Sequence, residues 1–317
     1  MKSGIVIRFL SVLLLVFLVG CGEDYGKLVS DAHRETLASM ATLDKSLKEG
    51  KLRHARVVQA YAVALAEDRP KMAELAAQFG KEGTAEGQAF KSLKERLAKV
   101  KLEVDNEKDA DQSLEELVRI AAEADPQVFD DSLVDVANVL ADLSDGKLPR
   151  LNVDKKTAKP KEGAGSYLVG NPRYGHWSSG PSGLYWVWFA GFSPYRSMFF
   201  TGSPYYYNSW YGGRPWSYYN DVGRNYYGSR ADNQRWSDAR RANPTVKPKR
   251  SYAPLKSQKR LSTYGNVASR KPGDMVKRAS AYSSGKSGSS LRRTSSYAAS
   301  GRSVKSGSAS GGRRTGK

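Results

Sequence analysis

The chain has 317 residues, a formal net charge of +19, three histidines and one cysteine, so no intramolecular disulfide can form. Its charge is divided: residues 22–145 carry 26 acidic and 17 basic side chains, whereas residues 146–317 carry 6 acidic and 32 basic. Such halves predict either a tail folded back onto the acidic part or one that reaches for a separate polyanion, with a packed core confined to the region before about residue 150.

The N-terminus has Lys2 and Arg8 ahead of an apolar stretch, Phe9 to Val19, that is short for a membrane-spanning helix and closes on Gly20 and Cys21. The four residues Leu18-Val19-Gly20-Cys21 resemble the lipobox of bacterial lipoproteins, a resemblance confined to the leader. It implies that residues 1–20 are a signal peptide, that diacylglycerol is attached to Cys21 before cleavage, and that the membrane is a partner through this lipid. Gly22 in place of an aspartate implies, by the same resemblance, sorting to the outer membrane of the cell envelope. Acyl chains anchor durably because each buried CH2 contributes about 0.8 kcal/mol.

From Leu28 the apolar residues fall at helical spacing, and residues 21–146 are expected to form an antiparallel helical bundle in a mainly α chain. Leu28, Ala32, Leu37, Met40, Leu43 and Leu47 make the first stripe, closed by Gly50. Val57 to Leu65 make a second, which restarts after Pro70 and breaks at Gly80 and Gly83. Phe90, Leu93, Leu97 and Val100 make a third, with Lys91, Lys94, Glu95, Arg96 and Lys99 expected on its solvated face. Ser113-Leu114-Glu115-Glu116 reads as the capping box of a fourth helix, and Asp125-Pro126 as the start of a fifth that runs through Val128 to Leu143.

Residues 147–166 read as a solvated basic linker, and residues 167–228 as an aromatic module, since 21 of the 61 residues from Tyr167 to Tyr227 are Phe, Tyr or Trp. Leu184 to Phe189 predicts a strand, flanked by the turn residues Asn171-Pro172 and Gly180-Pro181-Ser182-Gly183. The stretch from Tyr205 to Tyr219 looks instead like a low-complexity Tyr/Gly segment. Residues 229–317 read as a disordered basic tail with 22 Lys or Arg against three Asp and a loose repeat: Arg260-Leu-Ser-Thr-Tyr264, Arg278-Ala-Ser-Ala-Tyr282 and Arg293-Thr-Ser-Ser-Tyr297.

The tail can neutralise anionic polymers and release their counterions through cations such as Arg260, Arg278, Arg292, Arg293, Arg313 and Arg314. Peptidoglycan or lipopolysaccharide is the expected partner, nucleic acid the less favoured one. Trp177, Trp186 and Trp188, with Trp210 and Trp216 behind them, are candidate glycan-stacking residues, against the plainer expectation that they form a small core. An accessory subunit docking through its helices is the alternative to tethering, and a glycan-binding or wall-hydrolysing protein acting through the aromatic module is the third reading. No catalytic constellation stands out: His33, His54 and His176 have no metal-ligand spacing, Asp130, Asp131 and Asp135 read as a solvated helix face, and no cofactor motif is present, so a non-enzymatic protein is expected.

Overall fold

The computed structural model describes residues 24–152, 159–199, 204–225 and 228–244. The chain is mainly α, with a helical N-terminal part and one two-stranded antiparallel sheet. Cys21 and the signal segment, and all of the tail beyond residue 244, lie outside the described residues.

Helix α1 (Tyr25–Lys48) begins where the Asp24 carboxylate accepts the Lys27 N–H at 2.9 Å, and its buried stripe is Leu28, Val29, Met40, Leu43 and Leu47, whereas Leu37, expected in the stripe, is exposed. It stops at Glu49, and Gly50 takes the left-handed φ of +60° that follows a helix end. Helix α2 (Arg53–Asp68) and α3 (Ala73–Gly80) are joined by a 3-10 turn over Pro70–Met72, the expected restart after a residue that lacks an N–H. The pair is antiparallel and very close. A Cβ on Gly80 would meet that of Ala62 at 3.0 Å, and one on Gly83 would meet the Ala55 carbonyl oxygen at 2.5 Å, so the two glycines permit this approach.

Helix α4 (Gln88–Ala98) buries Phe90, Leu93 and Leu97. Helix α5 (Glu107–Glu123) packs on α1 and α4 and starts earlier than its sequence suggests. Asn106 is its cap, accepting the Asp109 N–H at 3.0 Å, while Ser113 lies in the buried interior and donates to the Lys101 carbonyl at 2.8 Å. The expected fifth helix is two: α6 (Pro126–Ser132), capped by Asp125, and α7 (Val134–Leu143), with the break at Leu133. Every residue of α7 is buried, because helices, the 3-10 turn Ala164–Tyr167 and the later aromatic residues surround it.

The solvated-linker expectation for residues 147–166 fails at its second described end, and the first, with Lys147 exposed, is nevertheless held to α7. Asn138 of α7 clamps Leu151 by two hydrogen bonds, 2.7 and 3.1 Å, and Ala164 to Tyr167 is buried. Residues 153–158 lie outside the described set. The aromatic segment is not a separate module. Its core is continuous with that of the helices: Phe192 stacks on Phe79 of α3 at 5.3 Å, and Tyr174 meets Phe192 edge-on at 5.2 Å.

Strands β1 (Gly175–Gly180) and β2 (Gly183–Trp188) form a hairpin whose two-residue turn, Pro181-Ser182, sits where the turn signal predicted it. Gly175 must be glycine, since a Cβ there would collide with the Val187 carbonyl oxygen and come within 2.8 Å of the Trp186 ring. After helix α8 (Arg196–Phe199), the stretch expected as low complexity is ordered into short helices α9 (Tyr207–Gly213) and α10 (Tyr218–Asp221). Rings of this size bury enough surface to fix short helices that propensity alone would not hold. Helix α11 (Arg230–Ala242) corrects the tail boundary. Ser229 and Asp232 make a capping box, and Trp236 and Ala239 are buried, so the ordered part extends through the first residues assigned to the tail.

Candidate functional site

Of the expected glycan-stacking tryptophans, Trp186 and Trp188 belong to the core and Trp177 packs against it. Strand alternation turns Trp177, Trp186 and Trp188 to the same face of the hairpin, against α9. Trp186 and Trp188 are buried, and Trp177, partly buried, has its ring centroid 5.1 to 5.4 Å from those of Tyr207, Trp186 and Trp210. Trp210 and Trp216 are buried as well, with the Trp210 indole donating to the Ser166 carbonyl at 3.0 Å. Glycan stacking on Trp186 and Trp188 is therefore corrected to core packing, which leaves no open ring face for a sugar. Cys21, Arg260, Arg278, Arg292, Arg293, Arg313 and Arg314 lie outside the described residues.

Three buried carboxylates fasten the aromatic segment to the helices. Glu123, at the end of α5, receives Arg173 through Nε at 3.0 Å and through Nη2, and Arg96 of α4 at 2.5 Å. Arg173 also donates to Ser132 at 2.9 Å. Burial alone would raise the Glu123 carboxyl, but Arg173 and Arg96 outweigh it and hold the group below the usual carboxylate range. Arg96 thus leaves the solvated face assigned to it and joins the two acids Glu116 and Glu123. Glu82 accepts the N–H groups of Gln88 and Ala89 at 2.8 and 3.0 Å at the start of α4, and the Tyr174 hydroxyl at 3.3 Å; burial still pushes it up.

Asp135 is the third, and the solvated-face expectation fails for it. It is 1 % exposed and accepts the N–H groups of Tyr218 and Tyr219 at 2.6 and 3.0 Å, which seats α10 on α7. Burial raises it to about 7 against the pull of those two N–H groups. Asp130 is partly buried and caps α2, accepting from the His54 and Ala55 N–H groups at 2.8 and 3.0 Å, with the His54 ring beside it. Asp131, next to both, is pushed to about 6 by burial, with His54 opposing. His33 is partly buried on α1 and His176 is exposed on the hairpin. Among the described residues no three His, Cys, Asp or Glu side chains gather as a metal site.

The feature with unspent binding capacity lies near the end of the described residues, where the basic tail begins. Trp236 of α11 carries the guanidinium carbon of Arg224 at 3.2 Å from its ring centroid and that of Arg240 at 5.6 Å. Arg214 sits 5.6 Å from the Tyr211 ring and is held by Asp221 in a two-pronged pair at 2.6 and 2.7 Å. Tyr207 stacks on Tyr211 at 5.2 Å. Sequence reasoning missed this cluster because Arg214 follows α9, Arg224 lies in a 3-10 turn and Arg240 lies in α11; the one available signal was the helical spacing from Trp236 to Arg240.

No family model, curated protein or solved structure matches the chain. Among the described residues no helix is long and apolar enough to cross a membrane.

Proposed function

We propose that the protein is a lipid-anchored tether of the bacterial cell envelope, held at the outer membrane through Cys21 and contacting an anionic envelope polymer through its basic C-terminal arm. The observation that carries this reading is that the two attachments stand at opposite ends of the sequence, Cys21 just before α1 and the basic arm just after α11. Three residues separate Cys21 from the first turn of α1, so a lipid on that cysteine keeps the body within about 14 Å of the bilayer surface. At the other end α11 stops at Ala242, and residues 245–317 carry 18 Lys or Arg against a single acid, Asp274. Those 73 residues span at most about 260 Å when fully extended. Individually weak contacts between the arm and a polymer gain from the concentration that the anchor imposes. The buried carboxylates described above serve to hold the body together, and the protein acts by binding, without catalysis.

Co-sedimentation tests this reading, with residues 22–317 compared against a chain ended at Pro244, which keeps α11 and the whole described core. Sacculi, lipopolysaccharide and DNA are each offered across a salt series. The expected result is binding lost on truncation and falling steeply with salt, with an envelope polymer preferred over DNA. Equal binding by both chains, or none by either, removes the arm from the function and turns attention to the helices as a docking surface for a protein complex.

A further inference from the structure

The arginine cluster at the root of the arm carries more positive charge than its surroundings neutralise. Asp221 is engaged by Arg214, Asp232 by Ser229 and Arg235, and Asp238 by Arg241 and Gln234. Arg224 and Arg240 are left with no carboxylate partner among the described residues, while Arg224 is partly buried. A guanidinium removed from water without a counter-ion is costly. Stacking on Trp236 offsets only part of that, since a ring face attracts the cation without neutralising its charge. Burial, and then repulsion from Arg214 and Arg240, push Arg224 below its ordinary value despite the opposing Tyr219 and Tyr211.

Hydrogen-bond donors in the same neighbourhood are also unused. Arg224 Nη1, Arg214 Nε, the Tyr207 hydroxyl and Trp236 Nε1 are all buried with no hydrogen-bond partner among the described residues. Native interiors leave few such groups, so four around one cluster call for an acceptor. Two unneutralised guanidiniums match the charge of a dianion better than that of a single carboxylate. Their planar donor forks also match the oxygens of a phosphate.

We propose that Arg224 and Arg240, both set against the Trp236 ring, form a phosphate-binding site at the base of the arm. Arg240 is exposed and forms the open side from which the phosphate enters; Arg224 meets it from within the cluster. The inference deepens the tether reading and rests on it for the source of the ligand: a phosphate carried by lipopolysaccharide or by a lipid headgroup, in place of the carboxylates of peptidoglycan.

The test is calorimetric titration of the full chain, in non-ionic detergent, with inorganic phosphate, and with sodium chloride at equal ionic strength as the reference. Wild type is compared with Arg224→Gln, Arg240→Gln and the tail double variant Arg292→Gln/Arg293→Gln. Saturable binding of one phosphate, weakened at least tenfold by Arg224→Gln and by Arg240→Gln and unchanged in the tail variant, supports the site. The exposed Arg240 keeps the test decisive should Arg224→Gln misfold. No saturable binding beyond the chloride reference, or binding that Arg240→Gln leaves intact, overturns it. In a second arm, lipopolysaccharide micelles and phosphatidic acid vesicles compete against the bound phosphate, and the stronger competitor names the source. Phosphate binding without polymer co-sedimentation would keep the site and discard the tether; the reverse would keep the tether and discard the site.

Discussion

The helices of residues 25–143 and the aromatic segment of residues 164–221 share one core yet fill it by different means. The first uses aliphatic stripes on regular helices: Leu43, Val58, Leu65, Leu93 and Leu117 are fully or almost fully enclosed by neighbours of the same kind. The second has few long elements and relies on ring-to-ring contact, such as Tyr207 on Tyr211 and Trp186 edge-on to Trp188. Regular helices satisfy their own backbone groups, whereas irregular chain must find partners elsewhere. That difference explains the buried carboxylates. Asp135 and Glu123 of the helical part receive N–H groups and a guanidinium from the aromatic segment, so the helices supply the acceptors that the irregular chain lacks.

If this division of labour holds, removing an acceptor injures the aromatic segment more than the helices. The largest effect is expected at Glu123. Glu123→Ala leaves Arg173 and Arg96 without their shared counter-ion and destabilises by about 3–5 kcal/mol, a loss typical of breaking a buried pair from one side. Urea unfolding followed by tryptophan fluorescence and by far-ultraviolet circular dichroism checks it. The fluorescence midpoint, which reports the aromatic segment, is expected to move first. Coincident shifts of the two signals would show that the two regions unfold as one unit.

Asp135 comes next. Asp135→Ala orphans the buried N–H groups of Tyr218 and Tyr219, at about 1–3 kcal/mol for each donor left unmade. The wild-type carboxyl also gives a pH signature. Burial raises it from 3.8 in the open chain to about 7 in the fold, so the native state holds its proton more tightly than the unfolded state does. Its favourable contribution is complete below about pH 4 and is lost as the pH rises through about 7. Asp135→Asn, which cannot titrate, is expected to gain stability relative to wild type between pH 5 and pH 8, measured as the difference in melting temperature across that range. A difference that does not change with pH would place the Asp135 titration in the ordinary carboxylate range.

The sequence was a good guide wherever the structure is set locally, and a poor one wherever it is set by contact at long range. The helical stripes, the Pro70 restart, the Asp125-Pro126 start and the Gly180 to Gly183 turn are all local signals, and each sits where its chemistry requires. Ser113 imitated a cap because its sequence context has the right form, yet Asn106 seven residues earlier starts the helix and buries Ser113. Leu184 to Phe189 shows apolar residues on both faces, and only the pairing with β1 reveals that Trp186 and Trp188 point inward while Tyr185 and Val187 line the opposite face. Asp135 looked solvated because its partners, the N–H groups of Tyr218 and Tyr219, lie 83 and 84 residues away. Composition merged α11 with the basic residues after it, although Trp236 is the single large aromatic that gives this stretch something to bury.

The smallest effect is expected among the exposed ion pairs, and it sharpens the comparison from the other side. Arg34 pairs with Asp31, Lys48 with Asp44 and Arg241 with Asp238, each within one helix and each with the cation about 70 to 77 % exposed. In water the Coulombic gain of such pairs nearly cancels the cost of ordering two long side chains. Replacing Arg34, Lys48 or Arg241 by Ala is expected to change the unfolding free energy by less than about 0.5 kcal/mol, and still less in 0.5 M salt. Glu123→Ala under the same conditions keeps most of its effect, because salt does not reach a carboxylate that is 2 % exposed between two guanidiniums. A salt series on the four variants therefore separates ion pairs that decorate the helices from the one that joins the aromatic segment to them. Equal salt sensitivity at Glu123 and Arg34 would mean that water reaches the junction, and the aromatic segment would then be docked far more loosely than the enclosed Glu123 and Arg173 require.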